Sequence, residues 1–429
     1  MTLIKFNNRS FSLIILGLIL FFAVRLFIWI QFDFAALLGT GDDSYYIDVA
    51  QNIINQGEHV SAGHYSIRAP GYPFFLATLL NLNIEIKNSI NIYLVQSVLL
   101  FITYLISFFI IKSSKPKAAS LVFLLLCLSP FDAVYNGRVL SENLLTPLVL
   151  TSIVLLLFLH KNKFFGYILP GILLGLLALV KDIFLLLPLF IALFMFFNKT
   201  NVKYVAIFLI AYSCTVSPWI LRNATLPSDG FIGVSKGIFW TNLWAGTWLR
   251  DDLSYSSAAK TGFIEKNQVE LFNTKRKNMT IEQDFFREAA LNNFIHKPFQ
   301  VLGNWVYRVP KMWIGTRTDL FKMRFETGSS YWYISKLFFF GVNLVIMLIF
   351  LALVAVGIAK KDRAAYLSLV FILYSLFIYM PFYNIETRYS QPVFSVMLLY
   401  IALSGVIIKD IVKNTKNLFN IKKQSLNQK

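Results

Sequence analysis

Long apolar runs separated by short polar segments fill most of this chain, and their length predicts a membrane protein. A helix that crosses about 30 Å of hydrocarbon needs roughly 20 apolar residues, and about ten runs approach that length. The runs are Phe11–Ile30, Ile90–Ile111, Ala118–Phe131, Leu144–Leu159, Phe165–Val180, Ile183–Phe197, Tyr204–Ile220, Ile334–Ala359, Ala364–Phe382 and Gln391–Ile408. The pattern therefore predicts an all-α polytopic membrane protein with about ten transmembrane helices.

Three of these runs are short for a membrane span: Ala118–Phe131 and the two that flank Lys181 and Asp182. Tilted or broken helices, or misplaced ends, would explain them, so the expected number of spans carries a margin of one or two. No small-residue cleavage site follows Phe11–Ile30, so we interpret this run as a retained span and not as a signal peptide.

Lysine and arginine gather in one set of segments, which predicts the orientation of the chain. The N-terminus, four short loops and the C-terminal tail together hold 18 of these cations and only two acids. With ten spans, all of these segments lie on one side. We therefore expect both termini in the cytoplasm of a bacterial cell, the chain in its plasma membrane, and the site on the external face.

Composition and charge agree with this class. The chain is 57% hydrophobic and 14% charged, whereas a soluble domain has about 45–50% apolar and about 25% charged residues. Disorder, a collagen-like fibre and a disulfide scaffold are excluded, and Cys127 and Cys214 both lie inside apolar runs. The net charge of +18 would suggest a nucleic-acid partner. Because +16 of it lies in the cytoplasmic segments, we expect membrane lipids as partners and no nucleic acid.

The runs and the charges divide the chain into four parts. They are an N-terminal transmembrane core over residues 1–220 that contains an external loop over 31–89, an external segment over 221–333, C-terminal transmembrane helices over 334–408 and a basic cytoplasmic tail over 409–429. In the external segment, a turn-rich stretch from Gly230 to Trp248 predicts short strands or irregular loop, and a capping-box match at Thr280–Gln283 predicts a helix. Its tryptophans fit an interfacial belt, with sugar-stacking surfaces as the alternative.

The first external loop carries the most informative residues. Apolar positions after Asp42 and Asp43 recur at helical spacing, and Gly57 is placed to end the helix. The two acids then lie at the helix N-terminus, where they could simply cap it and complement its dipole. Further on, Arg68 precedes a Pro-Gly-Tyr-Pro turn that leads into a second short helix. Headgroup contact by a snorkelling side chain is the alternative role for Arg68.

Five more charged residues lie at the predicted external boundary of the membrane: Arg138, Glu142, Lys181, Arg222 and Arg388. Several arginines at one face favour an anion site, because the guanidinium group presents a planar fork to phosphate oxygens. An acid at the membrane is costly and usually functional. The plainer alternatives are snorkelling arginines, an ion pair between Arg138 and Glu142, and neutralisation of Lys181 by Asp182.

Taken in order, these segments resemble the GT-C superfamily of membrane glycosyltransferases that use lipid-phosphate sugars. The nearest branches are the family 39-like enzymes: protein O-mannosyltransferases, lipid A aminoarabinose transferases and rhizobial lipopolysaccharide galacturonosyltransferases. The matching segments are Asp42-Asp43 with Tyr46 and Ala50, Arg68-Ala69-Pro70-Gly71-Tyr72-Pro73, Ser141-Glu142, Pro218-Trp219-Ile220-Leu221-Arg222-Asn223 and Glu386-Thr387-Arg388-Tyr389-Ser390-Gln391-Pro392. Two positions depart from the family pattern: Asp43 stands where many members have Glu, and Ala69 where a proline is common.

The resemblance implies transfer of a sugar from a polyprenyl phosphate to a hydroxyl of an envelope glycan, lipid or protein, with inversion at the anomeric carbon. It implies that Asp42 and Asp43 are the catalytic acids, with Asp42 as the general base, while Asp43 could orient Asp42, bind the acceptor or help to hold a cation. Arg68, Arg138, Arg222, Arg388 and Lys181 are then expected to bind the lipid phosphate, and Glu142 to be a second acid for the acceptor or a metal. Some GT-C enzymes use a divalent cation and others do not, so a cation is left open.

A transporter or flippase of lipid-linked sugars is the alternative function. It would explain the spans and the charges at the membrane. It also predicts inverted repeats with matching broken helices, which we do not find in the sequence, and it leaves the acids of the first loop unexplained. A membrane scaffold without enzymatic activity is a weaker third alternative.

Overall fold

The structure is a computed structural model that describes residues 8–38, 41–61, 64–65, 67–159, 164–226, 230–237, 239–248, 283–318, 321–382 and 386–405. The basic tail over 409–429 and the first three residues of the capping box, at 280–282, lie outside these residues.

Helices dominate the described chain. The N-terminal half contains α1 (Asn8–Gln31), α2 (Asp42–Gln56), the strands β1 (Val60–Ser61) and β2 (His64–Tyr65), α3 (Gly71–Asn81), α4 (Ser89–Lys112), α5 (Pro116–Cys127), α6 (Pro130–Tyr135), α7 (Glu142–Phe158), α8 (Phe165–Val180) and α9 (Leu187–Phe197). The C-terminal half contains α10 (Val202–Ala224), α11 (Phe239–Trp248), α12 (Gln283–His296), α13 (Pro298–Trp313), α14 (Ser330–Ala359), α15 (Arg363–Tyr379) and α16 (residues 391–405). Short 3-10 helices cover Ala35–Leu37, Asp182–Phe184 and Thr387–Ser390.

Four of the described helices are long and apolar enough to cross a membrane: Ser10–Gln31, Ser89–Lys112, Val202–Ala224 and Ser330–Ala359. Shorter apolar helices accompany them at Pro116–Cys127, Glu142–Phe158, Phe165–Val180, Asp182–Phe197 and Arg363–Tyr379. Large apolar side chains such as Phe11, Ile19 and Leu26 stay exposed on α1, as expected for a helix that faces lipid. The predicted all-α polytopic class is confirmed, and the runs around Lys181 are indeed short.

Close helix packing forms the interior. Helix α8 packs between α7 and α10, and α4 packs against α5 and α7. Gly175 permits the contact between α8 and α10, because a Cβ there would lie 2.5 Å from the Cβ of Thr215. Small residues allow such approach in membrane bundles, where packing and not water exclusion holds helices together.

The loop over residues 31–89 contains the two helices that the sequence predicts, with one addition. Helix α2 ends where Gly57 takes a left-handed conformation (φ 72°) and donates its N–H to the carbonyl of Ile53 at 3.1 Å. Between α2 and α3 the chain forms a small antiparallel hairpin of β1 and β2, which the apolar pattern does not indicate. Gly41, and not an acid, is the N-cap residue of α2, so the predicted capping role of the two aspartates is wrong.

The short run Ala118–Phe131 is a broken helix, which is one of the explanations that its length allowed. Helix α5 ends at Cys127, and Pro130, which lacks an N–H, begins the short helix α6. Residues 130–143 are buried.

The tryptophan-rich stretch from Phe239 to Trp248 is helix α11 and not a strand or irregular loop. Its Trp244 and Trp248 are four residues apart and pack with Phe286 and Ala290 of α12. They are therefore buried core residues of the segment over 221–333, and the interfacial belt is wrong for these two.

Gly71, at the start of α3, lies too close to α8 for a larger residue. A Cβ at this position would lie 2.7 Å from Cγ2 of Val180 and 3.0 Å from the backbone of Leu179. We therefore expect Gly71→Ala to lower the melting temperature of the purified protein, since overpacking costs about 1–3 kcal/mol. Gly303→Ala is the matched control, because nothing lies within 4 Å of its added Cβ. A melting temperature of Gly71→Ala equal to that of the control would contradict the prediction.

Candidate active site

Asp42 begins α2 and its carboxylate is shared by two arginines. Nη1 of Arg388 lies 2.8 Å from Oδ2, and Nη2 of Arg68 lies 3.2 Å from Oδ1. The Asp42 side chain keeps 30% of its surface exposed. The structure thus brings together one predicted base and two predicted phosphate-binding residues, at a point that a ligand can reach.

These two arginines decide the protonation of Asp42. Burial favours the neutral acid and would raise the pKa of this carboxyl, but the charges of Arg388 and Arg68 oppose it. Together with the hydrogen bond from Arg388 they hold the pKa below its usual value. Asp42 is therefore ionised at neutral pH, the state that a general base requires.

Arg388 is fixed by its own neighbours. It lies in the short 3-10 helix Thr387–Ser390, and its Nε is 2.9 Å from Oε2 of Glu386. The guanidinium carbon lies 5.0 Å from the ring centroid of Tyr389. Glu386 thus holds one edge of the guanidinium while the other edge reaches Asp42.

A second ion pair adjoins this cluster. Nζ of Lys181 lies 2.8 Å from Oε1 of Glu142 and 4.8 Å from the ring centroid of Tyr389. The Glu142 side chain is 2% exposed, and the charge of Lys181 also acts on Asp42. Asp182, the expected partner of Lys181, instead accepts a hydrogen bond from Ser235. The pair therefore places a cation beside the two arginines.

Asp43 has a different environment from its neighbour. It is completely buried, and Nε and Nη2 of Arg138 donate to its two oxygens at 2.7 and 2.8 Å. The N–H of Val139 adds a contact at 3.4 Å. Burial raises the pKa of this carboxyl although the bonds from Arg138 oppose it. The pair fastens α2 to the segment before α7, and Arg138 is bound to Asp43 rather than to Glu142.

Arg222 lies at the end of α10, in an aromatic setting next to the hairpin. Its guanidinium carbon is 4.7 Å from the Trp219 ring centroid and 5.7 Å from that of Tyr65, and Nη1 donates to Asn223 at 2.8 Å. His59 is buried nearby, and desolvation together with the charge of Arg222 lowers its pKa to about 4. The contacts described for Arg222 do not join it to Asp42.

The predicted residues thus fall into three groups and one separate residue. Asp42, Arg68 and Arg388 form the accessible cluster, Glu142 and Lys181 border it, and the Asp43–Arg138 pair lies in the interior behind it. Arg222 stands apart by the hairpin. Sequence reasoning did not single out Glu386 or Tyr389, although both belong to the segment around Arg388.

The acids of this site are paired with cations: Asp42, Asp43 and Glu142 each have a cationic partner at 3.2 Å or less. Among the described residues, no group of three or more His, Cys, Asp or Glu side chains is placed to hold a metal ion.

Two solved oligosaccharyltransferase structures resemble this chain along almost its whole length. The archaeal oligosaccharyltransferase AglB from Archaeoglobus fulgidus, in complex with an inhibitory peptide and a dolichol-phosphate, has a TM-score of 0.54 at 14% identity, over 96% of this chain and 52% of that one. The oligosaccharyltransferase of the same organism, tethered through a disulfide bond to an acceptor peptide with the NVT sequon, has the same score and identity over 95% and 50%. This chain thus spans about half the length of those proteins.

ArnT from Cupriavidus metallidurans, bound to undecaprenyl phosphate, has a TM-score of 0.39 at 12% identity over 90% of this chain and 77% of that one. No family model and no curated protein sequence matches the chain.

The likeness to the oligosaccharyltransferases shows the fold. Those enzymes belong to the GT-C superfamily, so this chain is a multi-pass membrane protein with the GT-C fold, as its motifs predicted. At 14% identity the likeness extends to the fold alone.

The contrast between the two neighbouring aspartates provides the second prediction. Removing one partner of a buried ion pair leaves an uncompensated charge and costs about 3–5 kcal/mol, whereas a partly exposed pair contributes about 0–1 kcal/mol. We therefore expect Asp43→Asn to lower the melting temperature of the detergent-purified protein much more than Asp42→Asn. Equal melting temperatures for the two variants would show that Asp43 does not fasten α2.

Proposed function

We propose that this protein is a GT-C glycosyltransferase that moves a sugar from a polyprenyl-phosphate donor to a hydroxyl group of an envelope acceptor. One observation carries the proposal: the accessible Asp42 carboxylate stands within hydrogen-bond distance of Arg68 and Arg388. A carboxylate can act as a general base, and guanidinium groups bind phosphate oxygens. The two chemical groups that sugar transfer from a lipid phosphate needs are therefore adjacent.

The proposed reaction is a single displacement with inversion. The acceptor oxygen attacks the anomeric carbon while Asp42 takes the proton of that hydroxyl. The bond from the anomeric carbon to the phosphate oxygen breaks, and its electron pair leaves with the phosphate. Arg68 and Arg388 stabilise the charge that develops on the departing phosphate.

The other charged residues have supporting roles in this proposal. Lys181, held by Glu142, adds positive charge beside the phosphate position. Asp43 and Arg138 hold α2 so that Asp42 faces the site. Arg222 is assigned to the rim of the phosphate site at the membrane surface, where Trp219 and Tyr65 flank it.

We place this reaction on the external face of a bacterial plasma membrane, with both termini in the cytoplasm. The distribution of lysine and arginine supports this orientation. The dolichol-phosphate bound to the archaeal oligosaccharyltransferase supports the class of donor. The acceptor is an envelope glycan, lipid or protein.

The third prediction tests Asp42 in cells. A strain without the gene should lack a sugar on a surface glycan, lipid or protein, and wild-type protein should restore it. We expect Asp42→Asn to fail, since loss of a general base lowers turnover about 10²–10⁴-fold. Asp48→Asn, an exposed aspartate of the same helix, is the matched control and should restore the sugar. Mass spectrometry of the envelope measures the outcome, with the amount of each variant in the membrane measured in parallel. Full restoration by Asp42→Asn would contradict the assignment.

The fourth prediction concerns pH. Because the arginines hold the pKa of Asp42 below its usual value in the donor-free protein, kcat/KM for the donor, which reports the free protein, should fall only as pH drops through that lowered pKa. Arg388→Gln removes the strongest opposing charge, so burial raises the pKa and the acidic fall in kcat/KM moves to higher pH. The measurement is the pH profile of kcat/KM for the donor with purified protein in lipid nanodiscs.

Arg287→Gln is the control for this profile, since Arg287 pairs with Asp284 on an exposed face of α12. It should keep the wild-type profile. An unchanged acidic limb in Arg388→Gln would mean that Arg388 does not control the ionisation of the base.

A further inference from the structure

We infer that Arg317 is a positioning residue that directs Arg388 toward Asp42. The inference rests on the proposed role of Arg388 in binding the donor phosphate. Arg317 belongs to the external segment, far from Arg388 in the sequence, and no motif marked it. Its side chain is nevertheless among the largest that are fully buried in the described structure.

The donors of Arg317 converge on the residues that frame Arg388. Nη2 donates to Oγ of Ser390 at 2.8 Å, and Nη1 lies 3.3 Å both from the carbonyl oxygen of Thr387 and from Oε1 of Gln391. Thr387 and Ser390 are the two ends of the 3-10 helix that carries Arg388. One guanidinium group therefore holds this turn at both ends.

The remaining donor of Arg317 is anchored behind the turn. Nε donates to Oδ1 of Asn343 at 2.8 Å, and Nδ2 of Asn343 donates to the carbonyl oxygens of Trp313 and Gly315 at 2.7 and 3.0 Å. Asn343 belongs to the long helix α14. A continuous series of hydrogen bonds thus leads from a membrane-spanning helix through Arg317 to the turn, and from the turn through Arg388 to Asp42.

Two features distinguish Arg317 from an ordinary packing residue. No carboxylate of the described residues lies within ion-pair distance of it, and its partners are neutral oxygens with the rings of Phe394 and Phe131 at 4.5 and 5.6 Å. A buried cation without an acid is costly. Its backbone also takes a left-handed conformation (φ 57°), which is uncommon outside glycine. Unfavourable conformations of this kind are retained where many surrounding contacts hold them in place, and they are common at functional sites.

The turn depends on such an anchor because it is short. A four-residue 3-10 helix has little internal hydrogen bonding of its own, and Arg388 must reach a carboxylate on a different segment. A misplacement of about 1 Å can cost about 10²-fold in catalysis. Glutamine at position 317 is shorter and has fewer donors, so it would not hold Thr387, Ser390 and Gln391 together.

The test is a double-mutant cycle on lipid-phosphate affinity. Binding of undecaprenyl phosphate to the protein in nanodiscs is measured for wild type, Arg317→Gln, Arg388→Gln and the double variant. We expect each single variant to bind about tenfold more weakly, as for loss of a hydrogen bond to a charged group. The double variant should bind no more weakly than Arg388→Gln alone, because a positioning residue acts through the residue that it positions.

Asn304→Ala is the matched control. Asn304 is also buried in the external segment, but its Nδ2 holds the carbonyl of Thr247 and not the turn. It should lower the melting temperature without changing the affinity. If Arg317→Gln does not fold, Arg317→Lys replaces it, with a smaller expected loss that again disappears when Arg388 is glutamine.

A second readout is the pH profile of kcat/KM for the donor, which reports the donor-free protein. Arg317→Gln should move its acidic limb to higher pH, in the same direction as Arg388→Gln, whereas a general structural defect lowers kcat/KM equally at all pH values. Additive losses of affinity, or an unmoved limb, would overturn the inference and leave the proposed function intact. If wild-type protein does not bind undecaprenyl phosphate, the proposed function fails first.

Discussion

The shared carboxylate of Asp42 is the interaction on which the rest of the site depends. Its two arginine partners lie 26 and 346 residues along the chain, so three segments must meet at one point. The contact to Arg68 is half exposed and contributes little free energy by itself. The three segments are held together by the packing beneath Asp42. The Asp43–Arg138 pair fixes α2, and the close contact of Gly71 with α8 fixes α3.

The two neighbouring aspartates show how a helix divides one acidic motif between two tasks. Consecutive residues of an α-helix point about 100° apart, so Asp42 and Asp43 enter different surroundings. Asp42 meets two cations and stays partly open, and its pKa is lowered. Asp43 meets one cation in the interior, where burial raises its pKa. The same chemical group is therefore partly exposed in one position and fully buried in the next.

Local patterns in the sequence predicted the helices but not their partners. The apolar runs, the amphipathic α2 and its end at Gly57 follow from spacing within a few residues, and the structure has them. Arg138 could not be assigned in this way, because Glu142 is four residues away whereas Asp43 is 95 residues away. The sequence likewise predicted Trp244 and Trp248 at the membrane interface, because nothing in their own segment shows that α12 packs over them. Arg317 could not be found from the sequence. Its hydrogen-bond partners are neutral oxygens from distant segments, which come together only in the folded chain.

The shared carboxylate also links donor binding to base strength in the proposed reaction. While Arg68 and Arg388 face Asp42, their charges keep its pKa low, which makes a stable but weak base. A phosphate bound between the arginines neutralises part of their positive charge. The arginines then lower the pKa of Asp42 less, and burial raises it. The base becomes stronger when a donor is in place and stays ionised and inactive without one. The anchoring of Arg388 by Glu386 matters here, because the guanidinium must change partner without leaving the site.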